Sequence, residues 1–285
     1  MHLKNKHNSS YNFTNLSETH PDLTSHVFTN SYGIKTIDFS DKEAVFHLNK
    51  AILKREYNIQ DWHIPKNYLC PPIPGRVDYI HHLHDLISEK NTKNAVTGLD
   101  IGVGSSCIYP ILGARLYNWN MIGSDIHEAS VKAALKNIEA TPDLAHKIKV
   151  LHQKNNANIF EGVINKGEYY QFSMCNPPFH ASEEEAIKLA GTKMKNLGYF
   201  NTNTSNFGGQ ANELWCNGGE KLFIKRMIKQ SVDFKNQVGW FTSLVSKSEN
   251  LPKIQKYIKK ADASHKIIDM SQGNKKSRIV AWTFQ

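Results

Sequence analysis

The chain has 285 residues, 40% of them apolar, and 35 Lys and Arg against 26 Asp and Glu give it a formal charge of +9. That length suits one large α/β domain with room for an extra segment, and the apolar share is enough to build a core. No apolar run approaches the ~18 residues that span a bilayer, and Met1-His2-Leu3-Lys4-Asn5-Lys6 lacks the apolar stretch of a signal peptide, so a cytoplasmic protein with no membrane partner is expected. Cys70, Cys107, Cys175 and Cys216 are scattered without a C-x-x-C pair, which argues for reduced core thiols over a zinc ribbon or a disulfide framework. The charge is uneven: residues 1–90 carry 10 basic and 10 acidic side chains and nine of the fourteen histidines, whereas residues 181–285 carry 17 basic against 9 acidic. A basic final third suits a polyanionic partner, and a solvated lysine-rich surface accounts for the same numbers.

In chain order, residues 1–33 are polar, with Lys4 and Lys6 near His2 and His7 and no acid before Glu18, so a mobile start that orders on RNA is expected. Ser40-Asp41-Lys42-Glu43 reads as a capping box opening a helix, with Ala44, Val45, Leu48, Ala51 and Ile52 on one face. Cys70-Pro71-Pro72-Ile73-Pro74-Gly75 reads as a rigid extended segment. It feeds Arg76, after which Val77, Ile80, Leu83 and Ile87 recur at helical spacing. Strands are expected near 96–101, 120–125, 147–152 and 170–175, with a helix over 127–140. This alternation predicts a parallel sheet with right-handed crossovers and ligands at the strand C-terminal ends.

Ser182-Glu183-Glu184-Glu185 opens another predicted helix, ended by Gly198, and residues 199–219 read as a long polar loop containing Phe207 and Trp215. A helix at 220–231, a strand at 238–245, a helix at 252–260 and two closing strands, 266–270 and 278–284, complete the reading. The final hairpin places one antiparallel strand at or near the sheet edge. Two units follow: a mainly helical, RNA-binding extension over 1–90 and an α/β domain over 91–285 with an insertion at 181–219.

Three motifs carry chemistry. Val96-Thr97-Gly98-Leu99-Asp100-Ile101-Gly102-Val103-Gly104 runs an apolar strand into a glycine turn that a ligand can approach closely. Asp125 ends the next strand about 21 residues later, where an acid meets a ribose diol. Ser105-Ser106-Cys107 follows Gly104 in place of the third glycine of the dinucleotide fingerprint, which disfavours a classical NAD site. Asn176-Pro177-Pro178-Phe179 then stands at the end of a further strand. The Asn176 oxygen and the Pro177 carbonyl are two acceptors held rigid by prolines, and Phe179 offers a face for a flat base.

Together these motifs resemble the S-adenosylmethionine-dependent methyltransferases that modify amino nitrogens. That resemblance implies a Rossmann-like, seven-stranded class I sheet. It assigns Asp100, Gly102, Gly104 and Asp125 to S-adenosyl-L-methionine, and Asn176, Pro177 and Phe179 to the acceptor amine. Asn156, beyond the third strand, is a weaker candidate for the cofactor adenine ring. Arg76 is a candidate partner for the cofactor carboxylate through its planar fork, and a helix-packing arginine explains it as well. His81, His82 and His84 do not share one helix face, so no metal is expected. Lys275 and Lys276 in the final hairpin, with Lys4, Lys6, Phe207 and Trp215, are weak candidates for substrate contact.

Further segments narrow the resemblance. Tyr68-Leu69-Cys70-Pro71-Pro72-Ile73-Pro74-Gly75-Arg76, Asn206-Phe207-Gly208-Gly209-Gln210, Glu213-Leu214-Trp215-Cys216 and Ser277-Arg278-Ile279-Val280-Ala281-Trp282-Thr283-Phe284 are similar to those of the bacterial ribosomal RNA large subunit methyltransferase F family. The resemblance implies N6 methylation of one adenine in 23S ribosomal RNA, with the rRNA or a large-subunit assembly intermediate as partner and a monomeric enzyme. The Lys- and Asn-based N-terminus departs from the Arg- and Pro-richer start of that family, and Lys lacks the bidentate fork. An amine methyltransferase acting on a protein glutamine and a non-catalytic RNA-binding protein on the same fold are the alternatives.

Overall fold

The computed structural model describes residues 1–66, 68–89, 95–178, 218–272 and 275–285. The extension contains α1 (Phe13–Thr19), a small hairpin of β1 (Val27–Thr29) and β2 (Lys35–Ile37), α2 (Lys42–Tyr57) and α3 (Ile73–Ser88). Beyond it come β3 (Thr97–Ile101), α4 (Ile108–Tyr117), β4 (Asn120–Asp125), α5 (Glu128–Glu139), α6 (Pro142–Ala145), β5 (Ile148–His152) and β6 (Tyr170–Cys175). The chain closes with α7 (Gly219–Ser231), β7 (Val238–Val245), α8 (Leu251–Lys260), β8 (Ser264–Gln272) and β9 (Lys275–Thr283).

Seven strands form one sheet in the order β5-β4-β3-β6-β7-β9-β8. β9 pairs antiparallel with β7 and β8, and the other neighbours are parallel. The seven-stranded α/β sheet expected from the sequence is therefore present, with its antiparallel strand one place from the edge. All eight residues of β7 are buried, as in a strand covered on both faces. The pleat sends alternate residues to opposite faces: Ile279 and Ala281 join one core, Val280 and Trp282 the other. The first core runs without a break from Phe13, Leu48, Trp62 and Ile73 of the extension to Ile111, Phe172 and Leu244. The second is closed by Ile224, Met227 and Ile228 of α7 and Ile254 and Ile258 of α8.

Local chemistry refines several expectations. Asp41, not Ser40, caps α2, its carboxylate accepting from Glu43 N at 2.9 Å. α3 begins at Ile73, inside the stretch read as extended, because Pro74 falls in the first turn, where its missing N–H costs nothing. α4 escaped the sequence reading: Ile108-Tyr109-Pro110-Ile111-Leu112-Gly113-Ala114 is apolar all round and buried throughout, so it shows no amphipathic period. The first residues, expected to be mobile, are docked on α3. The His2 backbone N–H donates to Asp78 Oδ1 at 2.6 Å, and Asn5 Nδ2 donates to the Pro74 carbonyl at 3.0 Å and Asp78 Oδ1 at 3.1 Å. The predicted helix from Ser182 and the loop over 199–219 lie outside the described residues. No helix among the described residues is long and apolar enough to cross a membrane, and no disulfide joins Cys70, Cys107 and Cys175.

Candidate active site

β3 and β6 are neighbours in register from Gly98↔Phe172 to Ile101↔Cys175, and the strand order reverses between them. At such a point the loops leave in opposite directions and open a crevice outside the strand C-terminal ends. Gly102 and Asn176 are the first residues beyond the paired strands, so the glycine turn and the Asn-Pro-Pro turn face one crevice by construction.

The glycine turn starts with Gly102 at φ +76° and Gly104 at φ +64°, conformations that an L side chain rarely adopts. A Cβ on Gly102 would meet nothing within 4 Å, which leaves its backbone open to a ligand. The turn is braced from behind. Trp62 Nε1 donates to the Ser106 carbonyl at 2.8 Å. Asn137 Nδ2 donates to the Ser105 carbonyl at 3.1 Å and the His63 carbonyl at 2.9 Å, while Asn137 Oδ1 accepts from His63 N at 2.8 Å. One tryptophan of the extension and one asparagine of α5 thus hold the loop's outer edge.

Asp125 ends β4 with its carboxylate already oriented: Oδ2 accepts from Gly104 N at 3.0 Å and Oδ1 from His127 N at 2.9 Å. Burial pushes its pKa up while those N–H groups pull it down. Ile126, 40% exposed, follows directly and offers an apolar surface at the crevice rim. Asp100 lies on β3 opposite Gly123 and Met174. It is fully buried, and neither carboxylate oxygen has a hydrogen-bond partner among the described residues. Burial pushes its pKa up to about 8 against the pull of Arg76, and Asp125 adds to the rise.

Arg76 sits in the first turn of α3, buried, with Nη1 donating to Tyr109 Oη at 2.6 Å and its guanidinium carbon 5.2 Å from the Tyr109 ring centre. With the Asn176 carboxamide turned oxygen-inward, Oδ1 accepts from Arg76 Nη1 at 3.1 Å and Nη2 at 3.2 Å. Tyr109 stands edge-on to Tyr79, whose hydroxyl bonds Thr242 Oγ1 at 2.8 Å, and Thr242 donates to the Ser173 carbonyl at 2.9 Å. A buried row from Arg76 to β6 and β7 therefore fixes the guanidinium against Asn176. The crevice holds a fixed cation and an unpaired acid, the pattern complementary to an amino acid's carboxylate and ammonium. With the open glycine turn and the oriented Asp125, these residues fit S-adenosyl-L-methionine.

Of the sequence candidates, Arg76, Asp100, Gly102, Gly104, Asp125, Asn176 and Pro177 converge here. Asn156 is exposed in the turn beyond β5. Its neighbour Gln153 is occupied structurally, Nε2 on the Glu161 carbonyl at 2.7 Å and Oε1 on Asn155 N at 3.0 Å. Lys4 pairs with Asp85 at 3.3 Å and Lys6 with Glu56 at 3.6 Å, on the outer side of the extension. Lys276 is exposed on β9. Phe179, Phe207, Trp215 and the Lys275 side chain lie outside what is described. Trp62, Tyr109, Ile126 and Asn137 were missed. Ile126 had a signal, an apolar residue directly after the strand-end acid, whereas the other three act through contacts at sequence separations of 31 to 74.

Residues 1–285 match the model of a family described as RNA methyltransferase. The chain is 60% identical over 284 residues to the ribosomal RNA large subunit methyltransferase F of Christiangramia forsetii, covering all of both chains. It is 51% identical to that of Flavobacterium johnsoniae, covering 93% of that relative. Among solved structures it is similar to the hMettl16 catalytic domain in complex with a MAT2A 3'UTR hairpin, at TM-score 0.85 and 29% identity over 97% of that chain. It is also similar to the N-terminal domain of human METTL16 in complex with SAH, at TM-score 0.81 and 27% identity over 99% of that chain.

Proposed function

Since the chain belongs to this family of RNA methyltransferases, we propose that it methylates the N6 amine of one adenine in 23S ribosomal RNA, with S-adenosyl-L-methionine as donor. The observation that supports the reading is the junction of β3 and β6, where the glycine turn and the Asn-Pro-Pro turn leave adjacent strands in register. When bound, S-adenosyl-L-methionine supplies an electrophilic methyl group. Asp100 and Arg76 would hold the two charges of its methionine part, Asp125 would take the ribose hydroxyls, and Ile126 would pack on its adenine.

Adenine N6 is a weak nucleophile because its lone pair is delocalised into the ring. Asn176 Oδ1 and the Pro177 carbonyl accept its two N–H protons, which favours a pyramidal nitrogen and aims the lone pair at the methyl. Arg76 Nη1 and Nη2 occupy both lone pairs of Oδ1 in the ligand-free arrangement, so accepting from the amine requires that one of these two bonds be given up. Phe179 stacks on the base, an interaction worth ~1–3 kcal/mol, and positioning for in-line transfer contributes further. Bound S-adenosyl-L-methionine would supply the methyl group and leave as S-adenosylhomocysteine; the methylated nitrogen would then give its proton to water, so no strong general base is required.

The exposed Lys225, Arg226 and Lys229 of α7 and Lys253, Lys256, Lys259 and Lys260 of α8 supply a positive surface on helices packed together over the second core. The extension over 1–90 and the lysines of the final hairpin complete the RNA contact, in a cytoplasmic monomer acting on free rRNA or an assembly intermediate. Labelled methyl transfer onto unmethylated 23S rRNA, free and in particles, followed by nucleoside analysis, tests this. N6-methyladenosine at one position is expected, with RNA affinity falling steeply with salt. Transfer to protein glutamine with none to RNA refutes it.

A further inference from the structure

The extension carries a histidine cluster that methyl transfer leaves unexplained. His20 follows α1, Asp22 lies two residues on, and His47 stands mid-way along α2. His20 Nε2 and His47 Nδ1 face each other at 2.9 Å, and Asp22 Oδ2 lies 4.0 Å from His20 Nε2. All three atoms are within 4.8 Å of one another, and no other three His, Cys, Asp or Glu converge in this way among the described residues. His26 stacks on the His47 ring at 5.2 Å and is paired with Asp41 at 3.4 Å.

We propose that His20, Asp22 and His47 form a binding site for a borderline divalent cation, Zn²⁺ in the first place, which clips α1 to α2 with water as fourth ligand. Two facing imidazole nitrogens satisfy each other only by sharing one proton. Two such nitrogens bound at about 2.05 Å to a tetrahedral ion stand about 3.3 Å apart, so replacing the proton by Zn²⁺ needs an opening of about 0.4 Å. The Asp22 carboxylate must close by about 0.7 Å to the same spacing. Its side chain is 72% exposed and free of the core, so the movement meets no packing.

Neutral imidazole is the ligating form. The donor set selects the ion. Mg²⁺ and Ca²⁺ prefer all-oxygen shells, and soft ions prefer thiolates, whereas two imidazoles and one carboxylate suit Zn²⁺. Asp22 and Glu43 attract a dication toward His47, while Lys50 and Lys54 beside His20 weaken it.

Calorimetric titration of ZnCl₂ into the metal-free full-length chain should show one ion per chain, a raised Tm at saturation, and no response to MgCl₂. Co²⁺ in its place should give the intense visible bands of a low-coordinate site. His47→Gln should abolish binding, and Asp22→Asn, on an exposed side chain that cannot unfold the protein, should weaken it at least about tenfold. His84→Gln should leave it unchanged, because His84 belongs to the separate His2–Asp85 group. Zn²⁺ binding that survives both His47→Gln and Asp22→Asn, that is lost in His84→Gln, or that leaves Tm unmoved overturns the proposal.

Discussion

Replacing Asp100 by Asn should stabilise the ligand-free protein while weakening its hold on the cofactor. The folded pKa of Asp100 is raised from 3.8 to about 8 by burial. Between those values the folded state keeps a proton that the unfolded chain has lost, so stability falls as pH rises through that window and levels off above it. At pH 7 the gap of about 3 units corresponds to about 4 kcal/mol. Asparagine is nearly isosteric and removes that cost; the pull of Arg76 is already contained in the value of about 8. A net increase of about 2–4 kcal/mol, or on the order of 10 °C in Tm, is expected at pH 7.

Thermal unfolding of both proteins from pH 5 to 8 checks this: the variant's advantage over the wild type should widen as pH rises, while the lowered pKa values of buried His7 and His81 raise the stability of both proteins alike and cancel in the difference. The same ionisation predicts proton release when a cationic amino group docks on Asp100. Protons should be released as S-adenosylhomocysteine binds, more at pH 7 than at pH 8, read by calorimetry in buffers of different ionisation enthalpy. A ligand-free variant less stable than wild type at pH 7, or wild-type binding without proton release, would refute the assignment of Asp100 as an uncompensated acid.

Asn176→Ala should remove methyl transfer while leaving S-adenosylhomocysteine affinity within a few-fold of wild type, seen by pairing single-turnover assays with calorimetry. Retained activity would eliminate the acceptor role. Trp62→Phe keeps most of the buried area but loses the bond to the Ser106 carbonyl; a cost of about 1–3 kcal/mol is expected in urea unfolding, with weakened cofactor binding. Glu220→Ala should cost about 2–4 kcal/mol, because this buried carboxylate accepts from Ser246 N, Ser246 Oγ, Lys247 N and Asn250 Nδ2 at the turn between β7 and α8. Glu220→Gln should recover only part of it.

The sheet was legible because its signal is local. β4, β6 and β7 fall within the expected bounds, and β3 and β5 start one residue inside them, since each is a short apolar run ended by a polar or glycine turn. The positions of Gly102, Gly104 and Asp125, proposed for the cofactor, were legible for the same reason, lying at fixed offsets from strand ends. What stayed hidden depends on distance along the chain. Nothing near Arg76 announces that its guanidinium will rest on the carboxamide of Asn176, since α3 and β6 are brought together only by the closed core. α4 was hidden by being buried on every side. The docking of residues 2–5 on Asp78 was missed because their polarity reads as solvation, whereas the asparagine and the amide donors are spent on one buried acid.

The brace from Trp62 to the glycine turn has a consequence for synthesis. Trp62 and the apolar faces of α2 and α3 are made before the segment that covers them, which begins near Val103 and ends near Trp119. At 5–20 residues per second, Trp62 waits roughly 3–11 s for its cover. During that interval the indole has only the Phe46 ring of α2 to stack on, at 6.1 Å between ring centres, and its N–H has no Ser106 carbonyl to meet. Once α4 arrives, the glycine turn and the residues before it are joined through one continuous core.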